Sequence, residues 1–231
     1  PNWRDKNRWS DTVEESLQDP LILKDIFDYY APMVYIDING RFRMTADMLE
    51  VPEEIGGLYQ YSKGKLHVYP VLSVGFPYTD FIGNMEPNGM MKYQILEAFA
   101  SGAKGFFLYS EGWFDALRMK YVAEAMKQIM PVEEIIATGQ PTGRVKSLDG
   151  NVFVKGIESE KGAVILVSEY SEFPKESIVE YKVNEKSLVV NLETMEDVGV
   201  LTSENNTFRV KLGRERAILF FIGDKTNLKH L

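Results

Sequence analysis

Gln94-Ile-Leu-Glu-Ala-Phe-Ala-Ser-Gly-Ala-Lys-Gly-Phe-Phe-Leu-Tyr109 is the stretch that decides the fold. With Met91 just before it, the residues Met91, Ile95, Ala98 and Gly102 recur at helical spacing, and Gly102 stands where a left-handed residue closes a helix. A strand over 104–109 follows at once, so a helix hands over to a strand with scarcely a loop. Working back, two more apolar runs of strand length appear. Residues 33–38 (MVYIDI) end at the turn signal Asn39-Gly40, and residues 67–74 (HVYPVLSV) carry Pro70 in their interior, where it removes one ladder donor.

Helical patterns fall between these strands. Thr12 and Glu15 form a capping box, and Asp19-Pro20 restarts a helix with Leu23, Phe27 and Tyr30 on one face. A moderately helical stretch over 45–58 ends at Gly56-Gly57. After residue 109, Asp115 caps a helix bearing Met119, Val122, Met126 and Ile129, which Pro131 stops. The strand ends near Asp37, Ser73 and Tyr109 are 36 positions apart, one strand-helix unit each. The order βαβαβα implies parallel strands joined by right-handed crossovers, either an open doubly wound sheet or part of a (β/α) barrel.

Beyond Arg144 the pattern changes to seven short strands, over 152–157, 163–168, 177–183, 188–192, 198–202, 208–212 and 217–222. The first two join in a hairpin through 158–162. In the sixth, Phe208, Val210 and Leu212 alternate with Arg209 and Lys211, one apolar face against one polar face. The expected organisation is α/β followed by all-β: residues 1–141 as the α/β part and residues 144–224 as an antiparallel β-sandwich.

Composition narrows the function. A formal charge of -8 opposes a sequence-independent grip on phosphate backbones, so nucleic acid is not an expected partner. No apolar run approaches the roughly 20 residues of a membrane-spanning helix, so no membrane partner is expected either. The absence of cysteine excludes disulfides, thiolate metal sites and thiol nucleophiles but leaves the compartment open. A chain beginning at Pro1 fits a processed protein or a fragment, and export stays open. His67 and His230 have no company for a metal site, and neither a P-loop nor a G-x-G-x-x-G pattern is present. No cofactor and no metal are expected.

The stretch from Gln94 to Tyr109, followed by Trp113-Phe-Asp115 and a helix closing near Glu133-Glu134, resembles the seventh helix, eighth strand and eighth helix of glycoside hydrolase barrels. The closing sequence LVVNLETMEDVGVLTSENNTFRVKLGRERAILFFIG is similar to the all-β domain that follows many such barrels. The resemblance implies the last part of a TIM (β/α)8 barrel followed by a sandwich, acting on an oligo- or polysaccharide. A whole barrel takes about 250 residues. The first five strands are therefore expected from a missing barrel half, or from another chain that covers the open barrel edge. Alone, the chain is expected to be inactive or nearly so. The competing reading is a non-catalytic carbohydrate-binding or scaffold module.

Glycoside hydrolysis uses two carboxyl groups about 5 to 9 Å apart, one protonated and one ionised. Barrel sites lie at the C-terminal ends of the strands, where this sequence offers Asp37, Glu111 and, within a longer loop, Asp80. Families with an aspartate acid/base at the end of strand six would place it at Asp37. Its structural alternative is a loop cap beside Asn39, and that of Glu111 is a solvated loop residue before Gly112. The resemblance departs at strand seven, where many retaining enzymes carry the nucleophile, because Ser73-Val74-Gly75 holds no carboxylate. Trp113, Tyr109 and Tyr78 are the candidate rings for stacking on sugar C–H faces, and packing beneath loops is the alternative for each.

Overall fold

The computed structural model describes residues 28–34, 55–59, 66–73, 89–109, 115–170 and 175–229. Of the candidate site residues, Asp37, Tyr78, Asp80, Glu111 and Trp113 lie outside these residues, and Tyr109 lies within them.

The three strands read around the opening stretch form one parallel sheet: β1 (Met33–Val34), β2 (Val71–Ser73) and β3 (Phe107–Tyr109), in the order β1-β2-β3. Val34, Leu72 and Leu108 share a row. Pro70 leaves its mark on the ladder. The amides of Tyr69 and Val71 face β1 and donate to the carbonyls of Tyr30 (2.9 Å) and Pro32 (2.8 Å). Residues 68 and 70 face β3 instead, and their carbonyls accept from Lys104 and Phe107 at 2.9 Å each. Proline can accept but cannot donate, so Pro70 gives β3 no amide, and on the β1 side Pro32 gives none to the Tyr69 carbonyl, which leaves an isolated bridge, Tyr30 to Val68, ahead of β2. Tyr30 thus belongs to this bridge and not to the helix face the sequence suggested, because its backbone completes the ladder with His67 and Tyr69.

Residues 55–59 are helical, and the helix runs through Gly56-Gly57 to Tyr59 instead of stopping at the glycine pair. Buried Ile55 and Leu58 hold it, a case of tertiary packing overriding low propensity. Helix α1 (Met90–Ala100) has ten of its eleven residues buried, so it is covered on every side. Gly102 closes it at φ 108°, with the Ala103 amide reaching back to the Ala98 carbonyl at 3.1 Å. Helix α2 (Ala116–Ile129) is capped as expected by Asp115, which accepts from the Arg118 amide at 2.9 Å. Its buried face is Ala125, Gln128 and Ile129, rotated from the stripe expected, and Met119 is 52% exposed. A 3-10 turn at Met130–Val132 containing Pro131 leads to α3 (Glu133–Thr138). Lys104 closes α3 by donating to the carbonyls of Ile136 (2.7 Å) and Gly139 (2.9 Å).

Among the described residues nine antiparallel strands follow: β4 (Gln140–Pro141), β5 (Val145–Ser147), β6 (Phe153–Ser159), β7 (Gly162–Ser168), β8 (Lys175–Tyr181), β9 (Ser187–Asn191), β10 (Glu196–Leu201), β11 (Thr207–Leu212) and β12 (Ala217–Gly223). They form a six-stranded sheet, β10-β9-β12-β7-β6-β4, and a three-stranded sheet, β11-β8-β5. The two sheets share a buried cluster in which Ile165, Val167, Val189, Phe220 and Ile222 meet Val179, Tyr181, Phe208, Val210 and Leu212. The rings of Phe208 and Phe220 lie 5.5 Å apart.

The opposite face of the six-stranded sheet is buried as well. Val164, Leu166, Val190, Leu192, Leu219 and Phe221 join a single cluster with Ile95, Leu96, Phe99, Ile129 and Ile135 of the helices and Leu72 of the parallel sheet. Strands β7 and β12 are therefore covered on both faces, which is why they read as unbroken apolar runs (AVILV, AILFFI), whereas the three-stranded sheet's β11 alternates. The α/β part and the antiparallel part are joined through this shared core.

Candidate functional site

Parallel strands turn their carbonyl ends toward one edge, and ligand sites in sheets of this kind form there, in the loops leading away. In this chain that edge is formed by Val34, Ser73 and Tyr109. Asp37 follows Val34 by three positions, Tyr78 and Asp80 follow Ser73 by five and seven, and Glu111 and Trp113 follow Tyr109 by two and four. Tyr109 stands at the edge itself and is 37% exposed.

Nearer the strand starts, three further rings cluster. Tyr29, Tyr69 and Phe107 have centroids 5.3 to 6.3 Å apart in tilted pairs, and Tyr29 and Phe107 are about half exposed. The residues that alternate with Tyr69 along its strand, Val68 and Leu72, are buried toward the helices. These rings line the sheet face turned away from the helices, and they sit along the strands instead of at the carbonyl edge. Their position suits packing inside a larger core better than a sugar subsite.

Two buried charged side chains escaped the sequence reading, both on α1 and both facing the antiparallel part. The Lys92 ammonium donates to Glu193 (2.9 Å) and to Glu215 (2.7 Å) with its side chain 1% exposed. Burial pushes its pKa down, and the paired carboxylates of Glu215 and Glu193 outweigh this and hold it above the ordinary lysine value. Gln128 donates to Glu193 and accepts from the Leu219 amide at 3.1 Å, carrying the network into β12. One turn further along, Glu97 accepts from Ser168 (2.8 Å) and Tyr170 (2.6 Å). The signal that could have found them is the composition of α1, MMKYQILEAFA, apolar on all sides and hence a buried helix whose Lys and Glu must be paired.

In the antiparallel part, a polar groove of about 510 Å³ is lined by Glu158, Lys161, Asn184, Asp224 and Asn227 among others. Its one ring, Tyr181, is 5% exposed, lies beneath Arg144 at 5.3 Å and donates to Glu158 at 2.9 Å. It offers no open face for stacking. Among the described residues no group of three or more His, Cys, Asp or Glu is placed to hold a metal ion, and no helix is long and apolar enough to cross a membrane.

The sequence matches no protein-family model. It matches no curated protein. The fold does have counterparts among solved structures. A GH27 β-L-arabinopyranosidase from Geobacillus stearothermophilus superposes with a TM-score of 0.53 at 14% identity, covering 80% of this chain and 43% of that one. An Anoxybacillus α-amylase gives 0.49 at 11% identity over 76% of this chain and 45% of its own. A maltogenic α-amylase from Thermotoga neapolitana gives 0.47 at 13% identity over 88% and 53%. The chain thus spans about half the length, or less, of these structures, and at 14% identity the likeness to the arabinopyranosidase is one of fold, glycoside hydrolase-like.

Proposed function

We propose that the chain is the C-terminal part of a glycoside hydrolase, in which residues 1–141 supply the last strand-helix units of a (β/α)8 barrel and residues 144–224 an antiparallel β-sandwich. The observation that carries this is the joint arrangement, three parallel strands in chain order tied through α1 to the six-stranded antiparallel sheet, together with its likeness to 43% of the arabinopyranosidase chain. One half-exposed aromatic surface supports it. The Tyr29–Tyr69–Phe107 face of the sheet is where further barrel elements would pack. Those elements come from a longer polypeptide or from another chain.

In this reading the substrate is an oligo- or polysaccharide bound at the edge formed by Val34, Ser73 and Tyr109. Asp37 is the acid/base, Glu111 and Asp80 are the candidate second carboxylates, and Trp113, Tyr109 and Tyr78 stack on the sugar. The test is a panel of aryl glycosides offered to this chain and to the longest polypeptide its gene encodes. Turnover is expected from the longer protein alone, and Asp37→Asn is expected to lower it by about 10² to 10⁴-fold, the usual weight of a general acid/base. Turnover untouched by Asp37→Asn removes that residue from the chemistry. Sugar binding without turnover of any glycoside returns the non-catalytic carbohydrate-binding reading.

A further inference from the structure

Glu97 is fully buried between α1 and the six-stranded sheet, and the way it is held sets it apart from the other carboxylates among the described residues. The hydroxyls of Ser168, at the end of β7, and of Tyr170, just beyond it, both donate to the same carboxyl oxygen, Oε1, at 2.8 and 2.6 Å. Tyr170 is itself 1% exposed, its ring lies 6.0 Å from that of Tyr93, and the Arg216 guanidinium donates to its carbonyl at 2.6 Å. Tyr93, one turn before Glu97 on α1, accepts from the Arg216 amide at 3.2 Å and reaches Glu215 at 3.4 Å. The helix of the α/β part is thus pinned to the antiparallel part by hydroxyl groups converging on one carboxyl.

We propose that Glu97, Ser168 and Tyr170 form a proton-operated fastening between the two parts of the chain, tight when the carboxyl is protonated and loosened when it ionises. An ionised carboxylate in this apolar cluster has two neutral donors and, among the described residues, no cation within hydrogen-bond distance. The groups that bear on Glu97 are Lys155 of β6, Tyr170 after β7 and, behind Tyr170, Tyr93 of α1. Burial lifts the pKa of Glu97 above its ordinary value, and Lys155, Tyr170 and Ser168 offset this only in part.

The sign follows from linkage. A carboxyl with a raised folded-state pKa holds its proton more tightly when folded. Its stabilising contribution is complete below the unfolded value, about 4.3, and is lost as the pH rises through the folded value. Within that window the equilibrium for lifting α1 off β7 rises by up to about tenfold per pH unit, one proton's worth. This holds whatever the chain binds or hydrolyses.

The test is hydrogen exchange of the α1 and β7 amides in the full chain across that window, corrected for intrinsic exchange rates, beside an infrared titration of the protonated carboxyl band. The unsubstituted chain should show the pH-dependent loss of protection, and Glu97→Gln, whose amide oxygen still accepts from both hydroxyls, should not. Tyr170→Phe, which removes one donor to the ionised form, should move the band's midpoint to higher pH. Parallel pH slopes in the unsubstituted chain and Glu97→Gln overturn the proposal. If Glu97→Gln fails to fold, the infrared titration of the unsubstituted chain decides alone, and a chain with no carboxyl band titrating above the ordinary glutamate range overturns it too.

Discussion

Lys92 sits at the base of α1 with an ammonium shared between Glu193 and Glu215, so its removal leaves two carboxylates without their cation beside an apolar cluster. Breaking a buried pair from one side costs about 3 to 5 kcal/mol. Both carboxylates here keep some contact with water, which puts the expectation at the lower end. Lys92→Met should therefore destabilise the chain by about 3 kcal/mol, read from urea unfolding, and Glu193→Gln with Glu215→Gln in the same background should restore part of it. A loss below about 1 kcal/mol would mean that helix burial, not the ion pair, seats α1. Neither Lys92 nor Glu97 stood out in the sequence, because a charge in a helical window defaults to solvent and only the partners, about 70 to 120 positions away in the chain, reveal the buried role. The strand-end carboxylates show the opposite limit. A position after a strand marks Asp37 and Glu111 as candidates, but the geometry between two carboxyls is a property of folded loops, which spacing does not encode.

The elements themselves were legible wherever local chemistry and tertiary packing agree. Gly102 and Asp115 act as the caps their residue types imply, and all seven downstream strands recur within a few residues of their expected bounds. The misses have physical causes. β4 and β5 are two and three residues long, too short for alternation to register, and the helix through Gly56-Gly57 persists because Ile55 and Leu58 are buried. Gly139 is a further position that sequence alone undervalued. It ends α3 with ordinary extended dihedrals, so its need for glycine is one of space. A Cβ there would stand 2.4 Å from the Ile135 carbonyl, 2.6 Å from Ile157 Cγ2 and 2.8 Å from the Glu158 carbonyl. Two of these three are backbone atoms that cannot rotate aside. Gly139→Ala should cost about 2 kcal/mol or more by overpacking the junction where α3 meets β6. Gly150→Ala, with open space around its Cβ but φ of 70°, should show only the smaller penalty of a left-handed residue, about 1 kcal/mol. Thermal unfolding of the two variants, side by side, separates crowding from backbone strain, and equal losses would defeat the distinction.

Taken as one body, the molecule is lopsided. The central strands β7 and β12 of the six-stranded sheet are covered on both faces, while the parallel sheet is covered by helices on one side and shows Tyr29, Phe107 and Tyr109 on the other. If that second face is the interior of a larger barrel, a charge placed on it should have opposite consequences in two settings. In this chain Phe107 is 44% exposed, so a lysine there can reach water with its stem along the sheet, and Phe107→Lys should change stability by no more than about 1 kcal/mol. It should also reduce the binding of a fluorescent apolar dye and any self-association driven by the exposed rings, as read by sedimentation velocity. In a longer polypeptide that closes the barrel, the same lysine would be sealed among apolar side chains with no partner, and folding should fail or lose several kcal/mol. The contrast depends on neither sugar chemistry nor the identity of the catalytic pair. Equal tolerance in both settings would show that the aromatic face is a true surface of the folded protein, and the barrel reading of residues 1–141 would fall with it.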